Sequence, residues 1–327
     1  MLKIKNIHLK NYAGYRDCFF DFQRSDKSFV PISAFFGPNG CGKSNCLHAI
    51  RIASSAQSLH GRDNSLFFRK MIFHPDYDPS LPHFASYKEE MKIDATYDED
   101  GEEKKVIISS ENGIEKNELT SFHNSIFIDA DHPINMKKFY VDSKYEDLFV
   151  DIAETVYGFN VSLEKGVVTY EKDMQFTGSA EKNNEIWESF NNEEVGGEKY
   201  STYQDLIITK EDVRVHFKSM SDGERKIATL LRNLCDPSII EKYDIILIDN
   251  IEMHVYMQRH ARMIDKILES FPNKQFLVTT HSPILVGVDD PVSNIFVQSH
   301  IANKWGEDCL FDISKLKTTD EARKSNL

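Results

Sequence analysis

The chain has 327 residues, with 40% hydrophobic and 28% charged side chains and a formal net charge of −13. That length suffices for roughly two domain-sized units with a full core, and the acidic balance argues against a protein that coats nucleic acid through overall charge. No apolar run reaches a membrane span, the N-terminus lacks a secretory signal, and the five cysteines (Cys18, Cys41, Cys46, Cys235, Cys309) show no CxxC spacing, so a cytoplasmic protein with reduced, metal-free thiols is expected.

Leu2 to Leu9 alternates apolar and polar residues as a half-buried strand does, and Phe29 to Phe36 runs largely apolar into a glycine-rich loop. A helix is predicted from about Lys43 to Ala56, with Leu47, Ile50 and Ile52 at roughly helical spacing. Between strand and helix stands Gly37-Pro38-Asn39-Gly40-Cys41-Gly42-Lys43-Ser44, a complete P-loop. Its glycines let the backbone curl so that N–H groups and the helix N-terminus face phosphate oxygens. Gly37, Asn39, Gly40, Cys41, Gly42, Lys43, Ser44 and Asn45 are therefore the candidate ATP contacts. Lys43 brings charge to the β and γ positions, and Ser44 is a ligand for Mg2+.

From about Ser58 to Tyr200 the pattern changes, with the charged run Asp98 to Glu103, a predicted hairpin over Val161 to Tyr170, and an acidic stretch from Glu181 to Glu198. Residues 57–199 are read as a compact α+β insertion in a head formed by residues 1–56 and 200–327. Ser125 to Asp129 reads as a buried strand that can belong to the main sheet.

After Tyr203 the regular pattern returns: a strand around Val213 to Phe217, a helix over Glu224 to Leu234, an apolar strand over Tyr243 to Asp249, a helix over Met257 to Phe271 and a strand over Gln275 to Thr280. Strands alternating with helices indicate an α/β fold with a mostly parallel sheet. No sustained heptad pattern marks a coiled-coil arm. The Tyr243–Asp249 strand ends in a carboxylate suited to the magnesium shell.

Three further segments follow the P-loop in the order of an ABC-class ATPase head. Ser219-Met220-Ser221-Asp222-Gly223-Glu224-Arg225-Lys226 resembles the signature motif of that class, with Asp222 where Gly is frequent. The resemblance implies that Ser221, Gly223 and Glu224 meet the γ-phosphate held by an opposite subunit, although Ser221 and Glu224 also spell a capping box. Phe276 to Pro283 resembles the switch-histidine segment, which points to His281. Asp249-Asn250-Ile251-Glu252-Met253-His254 resembles the Asp-Glu-Pro-Glu-x-His stretch of OLD-type and RecF-like ATPases. That class places a catalytic Glu directly after the magnesium Asp, whereas this chain has Asn250, which cannot accept a proton. Hydrolysis is expected to be slow unless Glu252 or another group substitutes, since losing a general base costs about 10²–10⁴-fold. The catalytic candidates are Lys43, Asp249, Asn250, Glu252 and His281. Leu9 to Arg16 partly resembles the Asn-Phe-Arg stretch of RecF, SMC and OLD proteins, with Ala13 at the basic position and Arg16 as a possible substitute. No Q-loop glutamine is assigned.

Among such heads the chain looks most like OLD-family ATPases, many of which serve in bacterial defence against phage. With 46 residues after His281, the Toprim nuclease of OLD nucleases is not expected here. The resemblance therefore implies a stand-alone ATPase subunit similar to PtuA of Septu or the ATPase of PARIS, forming at least a nucleotide-sandwiched homodimer that holds a separately encoded effector, a nuclease or toxin. The alternatives are a RecF-like clamp that binds DNA through local basic surfaces, and a scaffold in which nucleotide only staples the assembly. A GTPase is disfavoured because Asn273-Lys274 is followed by Gln275-Phe276 and not by x-Asp. His254 and His260 are spaced wrongly for one helix face, which disfavours zinc.

Overall fold

A computed structural model describes residues 1–12, 15–24, 26–37, 42–56, 90–120, 124–131, 139–170, 193–195, 198–282, 292–301 and 309–315. The chain divides into two compact units, Met1–Asp131 with Ser238–Leu327, and His132–Pro237.

The first unit holds two sheets. One has five antiparallel strands, β1 (Leu2–Tyr12), β2 (Tyr15–Asp21), β4 (Lys92–Glu99), β5 (Glu102–Ser109) and β6 (Gly113–Asn117), in the order β2-β1-β4-β5-β6. The other has six, β3 (Ile32–Phe36), β7 (Ser125–Asp129), β12 (Ile245–Asp249), β13 (Gln275–Thr280), β14 (Val292–Ile301) and β15 (Cys309–Lys315), ordered β15-β14-β3-β13-β12-β7. All neighbours in the second sheet run parallel except β14 and β15. Helix α1 (Lys43–Ser54) touches both sheets and shares one core with them, in which Ile4, Ile7 and Leu9 of β1 meet Cys46, Leu47 and Ile50 of α1 and Leu247 and Leu277 of the parallel sheet.

Two sequence expectations change here. Residues 92–117, expected within an insertion, supply three strands to the antiparallel sheet, whereas Ser125–Asp129, read as a strand that can belong to the main sheet, is the edge strand β7 of the parallel one. The charged run Asp98–Glu103 conceals a tight hairpin: Asp100 (φ 54°) and Gly101 (φ 88°) are both left-handed, as a two-residue turn matching strand twist requires, and Glu99 pairs with Glu102. In the paired strands Glu102, Glu103 and Lys105 are exposed, while Ile93, Ala95, Tyr97, Val106 and Ile108 are fully buried.

The two sheets are also joined by a side chain. Where the β1–β4 register shifts between Ile4 and Asn6, the buried Gln275 amide bonds both backbone groups of Ile4, accepting from its N–H at 2.8 Å and donating to its carbonyl at 3.0 Å. Lys3, on the polar phase of β1, is nevertheless buried, with Nζ 2.7 Å from the Asn273 carbonyl.

The second unit is built on β8 (Asn160–Tyr170), β9 (Glu193–Val195), β10 (Glu198–Lys210) and β11 (Val213–His216), all antiparallel to β10. The hairpin expected over Val161–Tyr170 is a single strand, because its turn-like Glu164-Lys165-Gly166 lies in unbroken register with Tyr203-Gln204-Asp205 of β10. Helices α2 (Glu146–Tyr157) and α3 (Asp222–Leu234) complete this unit, joined by a 2.6 Å bond from Tyr157 Oη to the Glu224 carbonyl. Among the described residues, no helix is long and apolar enough to cross a membrane.

Candidate nucleotide site

The parallel strands of the first unit deliver their chemistry at one edge, the carboxyl ends of β3, β12, β13 and β7, where open α/β sheets bind ligands. Gly37 follows β3, and α1 begins at Lys43 behind Gly42. Gly42 is left-handed (φ 95°), a conformation that favours glycine, and no side chain caps the helix. Tyr15 Oη donates to the Gly42 carbonyl at 2.8 Å, tying the loop to the antiparallel sheet.

Lys43 is buried at 6% exposure and its Nζ donates to the Gly37 carbonyl at 2.9 Å, so the ammonium is held inside the loop. His281, just beyond β13, places Nδ1 3.5 Å from that ammonium. Desolvation first, and then the Lys43 charge, hold the His281 imidazole below its ordinary pKa, outweighing Glu252 and Asp249.

Ser44 Oγ donates to Asp249 Oδ1 at 2.9 Å, and Thr279 Oγ1 donates to the same oxygen. A hydroxyl and a carboxylate converging at the foot of a P-loop form the all-oxygen set that Mg2+ prefers, so Ser44 and Asp249 fit the ion. The buried ammonium and the N-terminus of α1 fit phosphate groups.

After Asp249 the chain turns sharply. Asn250 is left-handed (φ 54°) and donates its N–H to Thr279 Oγ1 at 2.8 Å, and Ile251 donates to the Thr279 carbonyl at 3.2 Å. Glu252 Oε1 then accepts the His281 N–H at 2.7 Å, while Glu252 Oε2 is buried with no hydrogen-bond partner. His254 Nε2 lies 3.2 Å from Asp131 Oδ1. His260 Nε2 donates to the Val255 carbonyl at 2.9 Å, which leaves Nδ1 to accept from Ser282 Oγ at 2.7 Å.

The structure thus gathers Gly37, Gly42, Lys43, Ser44, Asp249, Asn250, Glu252 and His281 at one edge, with Asn45 in the first turn of α1. Asn39, Gly40, Cys41 and Ala13 lie outside the described residues, as does the Arg16 side chain. Ser221, Gly223 and Glu224 belong to the other unit. There Ser221 caps α3 in a full capping box: its Oγ accepts the Glu224 N–H at 3.3 Å, and Glu224 Oε2 accepts from the Ser221 N–H at 2.9 Å. Burial pushes the Glu224 carboxyl up, but Lys210 and the Ser221 donors outweigh it and hold it below its ordinary value.

Sequence reasoning missed Thr279, which links Asp249 to the Asn250 turn, and Tyr15. It also missed Asp129, which parallel register sets beside Asp249. His48, one turn beyond Ser44, stacks on Phe127 with ring centroids 4.7 Å apart and has its pKa lowered chiefly by desolvation. The pair Thr279-Thr280 before His281 is the one sequence signal that points to Thr279. Among the described residues no cluster of three or more His, Cys, Asp or Glu side chains that could hold a metal occurs.

Residues 2–211 match the AAA ATPase domain family AAA_15. This chain belongs to that family. The chain is similar to the Retron Ec83 probable ATPase of Escherichia coli, at 34% identity over 24% of this chain and 16% of that protein, and to Septu protein PtuA of Bacillus thuringiensis, at 30% identity over 25% and 24%. It also matches the Retron Vc95 probable ATPase of Vibrio cholerae, at 28% identity over 25% and 18%. Each match thus spans no more than a quarter of either protein. In fold, the chain resembles the SMC head domain from Thermotoga maritima (TM-score 0.54, 15% identity, 97% of this chain and 100% of that one). It also resembles the Smc head from Pyrococcus furiosus bound to the C-terminal domain of ScpA (TM-score 0.56, 13% identity, 100% and 99%). The architecture is that of an ABC-type P-loop ATPase head.

Proposed function

We propose that this ATPase binds ATP with Mg2+ at the Lys43–Ser44–Asp249 site, hydrolyses it slowly, and closes as a homodimer around nucleotide to hold or gate a separately encoded nuclease or toxin in anti-phage defence. The observation that carries the nucleotide reading is the convergence of the buried Lys43 ammonium, the Ser44–Asp249 pair and His281 at one sheet edge. Similarity to retron ATPases and to the Septu protein PtuA supports the defence role.

In the closed dimer, Ser221, Gly223 and Glu224 of one copy face the P-loop of the other, where a helix N-terminus favours an anion. With Asn250 directly after Asp249, the base must come from a less direct position, so the chemical step is slow and bound ATP acts more as a clamp than as fuel.

The test is native mass determination of the protein purified with its operon neighbours, with and without ATP and magnesium, for wild type and Lys43→Ala. An ATP-dependent dimer carrying a nuclease or toxin, lost in Lys43→Ala, is the expected result. A partner-free dimer that binds duplex DNA in a salt-sensitive way would replace the defence reading with a RecF-like clamp in DNA repair. A protein that stays monomeric with ATP and magnesium would sink the sandwich.

A further inference from the structure

We propose that the water attacking the γ-phosphate gives its proton to Glu252, and that Asn250 serves as a backbone corner that aims this carboxylate. The inference rests on the ATPase reading and names the group that performs its chemical step.

Three observations converge on Glu252. The left-handed turn at Asn250, pinned by Thr279 through both the Asn250 and Ile251 N–H groups, folds the chain back toward the end of β13. This return sets Glu252 Oε1 2.7 Å from the His281 N–H, and the ring of that same histidine lies 3.5 Å from the Lys43 ammonium. Glu252 Oε2 is buried without a hydrogen-bond partner. Buried carboxylate oxygens ordinarily have donors. On a carboxylate whose other oxygen binds the histidine that neighbours Lys43, an orphaned oxygen is an acceptor held ready for a donor that arrives with the substrate.

The support around it is stiff. His260 joins the Val255 carbonyl to Ser282 Oγ, so the loop bearing Glu252 and the segment bearing His281 are tied a second time beyond the carboxylate. A shift of either strand end would move both groups together.

In the step itself, the water oxygen bonds to the γ-phosphorus as the bond to the β,γ-bridging oxygen breaks, and that electron pair leaves on ADP. One water proton passes to Glu252 Oε2 and later to solvent. The products are ADP, inorganic phosphate and a proton.

Glu252→Gln and Glu252→Ala separate proton transfer from positioning. Glutamine keeps an oxygen for the His281 N–H but is no base, whereas alanine removes both roles. Three quantities are measured: equilibrium affinity for ATP with magnesium, hydrogen exchange at the His281 amide, and single-turnover hydrolysis. The expected result for Glu252→Gln is ATP affinity within about threefold of wild type, retained protection at His281, and a hydrolysis rate lower by about 10²–10⁴-fold. Glu252→Ala loses both the protection and the rate. Hydrolysis by Glu252→Gln within a few-fold of wild type would overturn the proposal and leave Glu252 a positioning residue. No single-turnover hydrolysis by wild type, with ATP still bound, would overturn it too. Wild type that fails to bind ATP at all would instead remove the ATPase reading, and the proposal with it.

Discussion

Ser44 Oγ and Asp249 Oδ1 lie 2.9 Å apart although 205 residues separate them in sequence. Only docking of α1 onto the end of β12 creates that pair, and its two oxygens suit the magnesium ion of the proposed function. Ser44→Ala removes one oxygen ligand without disturbing Lys43. The magnesium-dependent gain in ATP affinity is expected to fall at least about tenfold, while binding without magnesium changes little. Calorimetric titration with and without magnesium checks this, and an unchanged gain would remove Ser44 from the metal site.

Asn250 should respond to substitution as a conformational residue. Its φ of 54° is cheap for Asn or Gly and costs other residues about 1–2 kcal/mol. Asn250→Gly is therefore expected to leave the denaturant midpoint nearly unchanged, whereas Asn250→Glu lowers stability and does not restore rapid hydrolysis. Fast turnover by Asn250→Glu at wild-type stability would contradict both the backbone role and the assignment to Glu252.

Gln275 holds the two sheets of the first unit together at Ile4. Gln275→Leu leaves the Ile4 N–H and carbonyl buried without the amide, at a cost of about 1–3 kcal/mol for the unsatisfied pair. Urea unfolding should show a lower midpoint at an unchanged slope. A change below about 0.5 kcal/mol would mean that water replaces the amide.

Lys3 gives a pH signature. Burial lowers its pKa to about 8 from the ordinary 10.5, against the pull of Asp244. Between those values the unfolded chain binds more protons than the folded one, so this group's effect on stability improves as pH rises from 8 toward 10.5. Relative to Lys3→Met, wild type should gain in Tm between pH 7.5 and 9.5. Buried Tyr97 and Tyr157, whose pKa values are raised, act in the opposite sense only above their ordinary range and are common to both proteins. A Tm difference independent of pH would show that Lys3 titrates normally.

Ser221 separates capping from phosphate recognition. Ser221→Ala should cost about 1 kcal/mol through loss of the α3 cap. Ser221→Asp keeps a capping oxygen but adds a negative charge where the dimer reading places a γ-phosphate. Thermal denaturation is expected to show near wild-type stability for Ser221→Asp, while mass determination shows no ATP-dependent dimer. A normal dimer would confine Ser221 to its structural role.

The sequence by itself determined the P-loop, the strand ending at Asp249, the helix behind Ser221 and the strand leading to His281, because each depends on local periodicity and short-range backbone chemistry. It also placed Ser125–Asp129 in a strand. It misread Val161–Tyr170 as a hairpin and hid a real one at Asp100-Gly101, since local turn chemistry is visible in both places and only a partner strand decides whether the chain turns. Tertiary structure alone decided that residues 92–117 complete the antiparallel sheet, that Thr279 pins the Asn250 corner, and that Glu252 reaches the His281 amide. Those relationships join residues far apart in the chain, and the free energy that selects them comes from packing and from satisfying buried polar groups, neither of which any single segment contains.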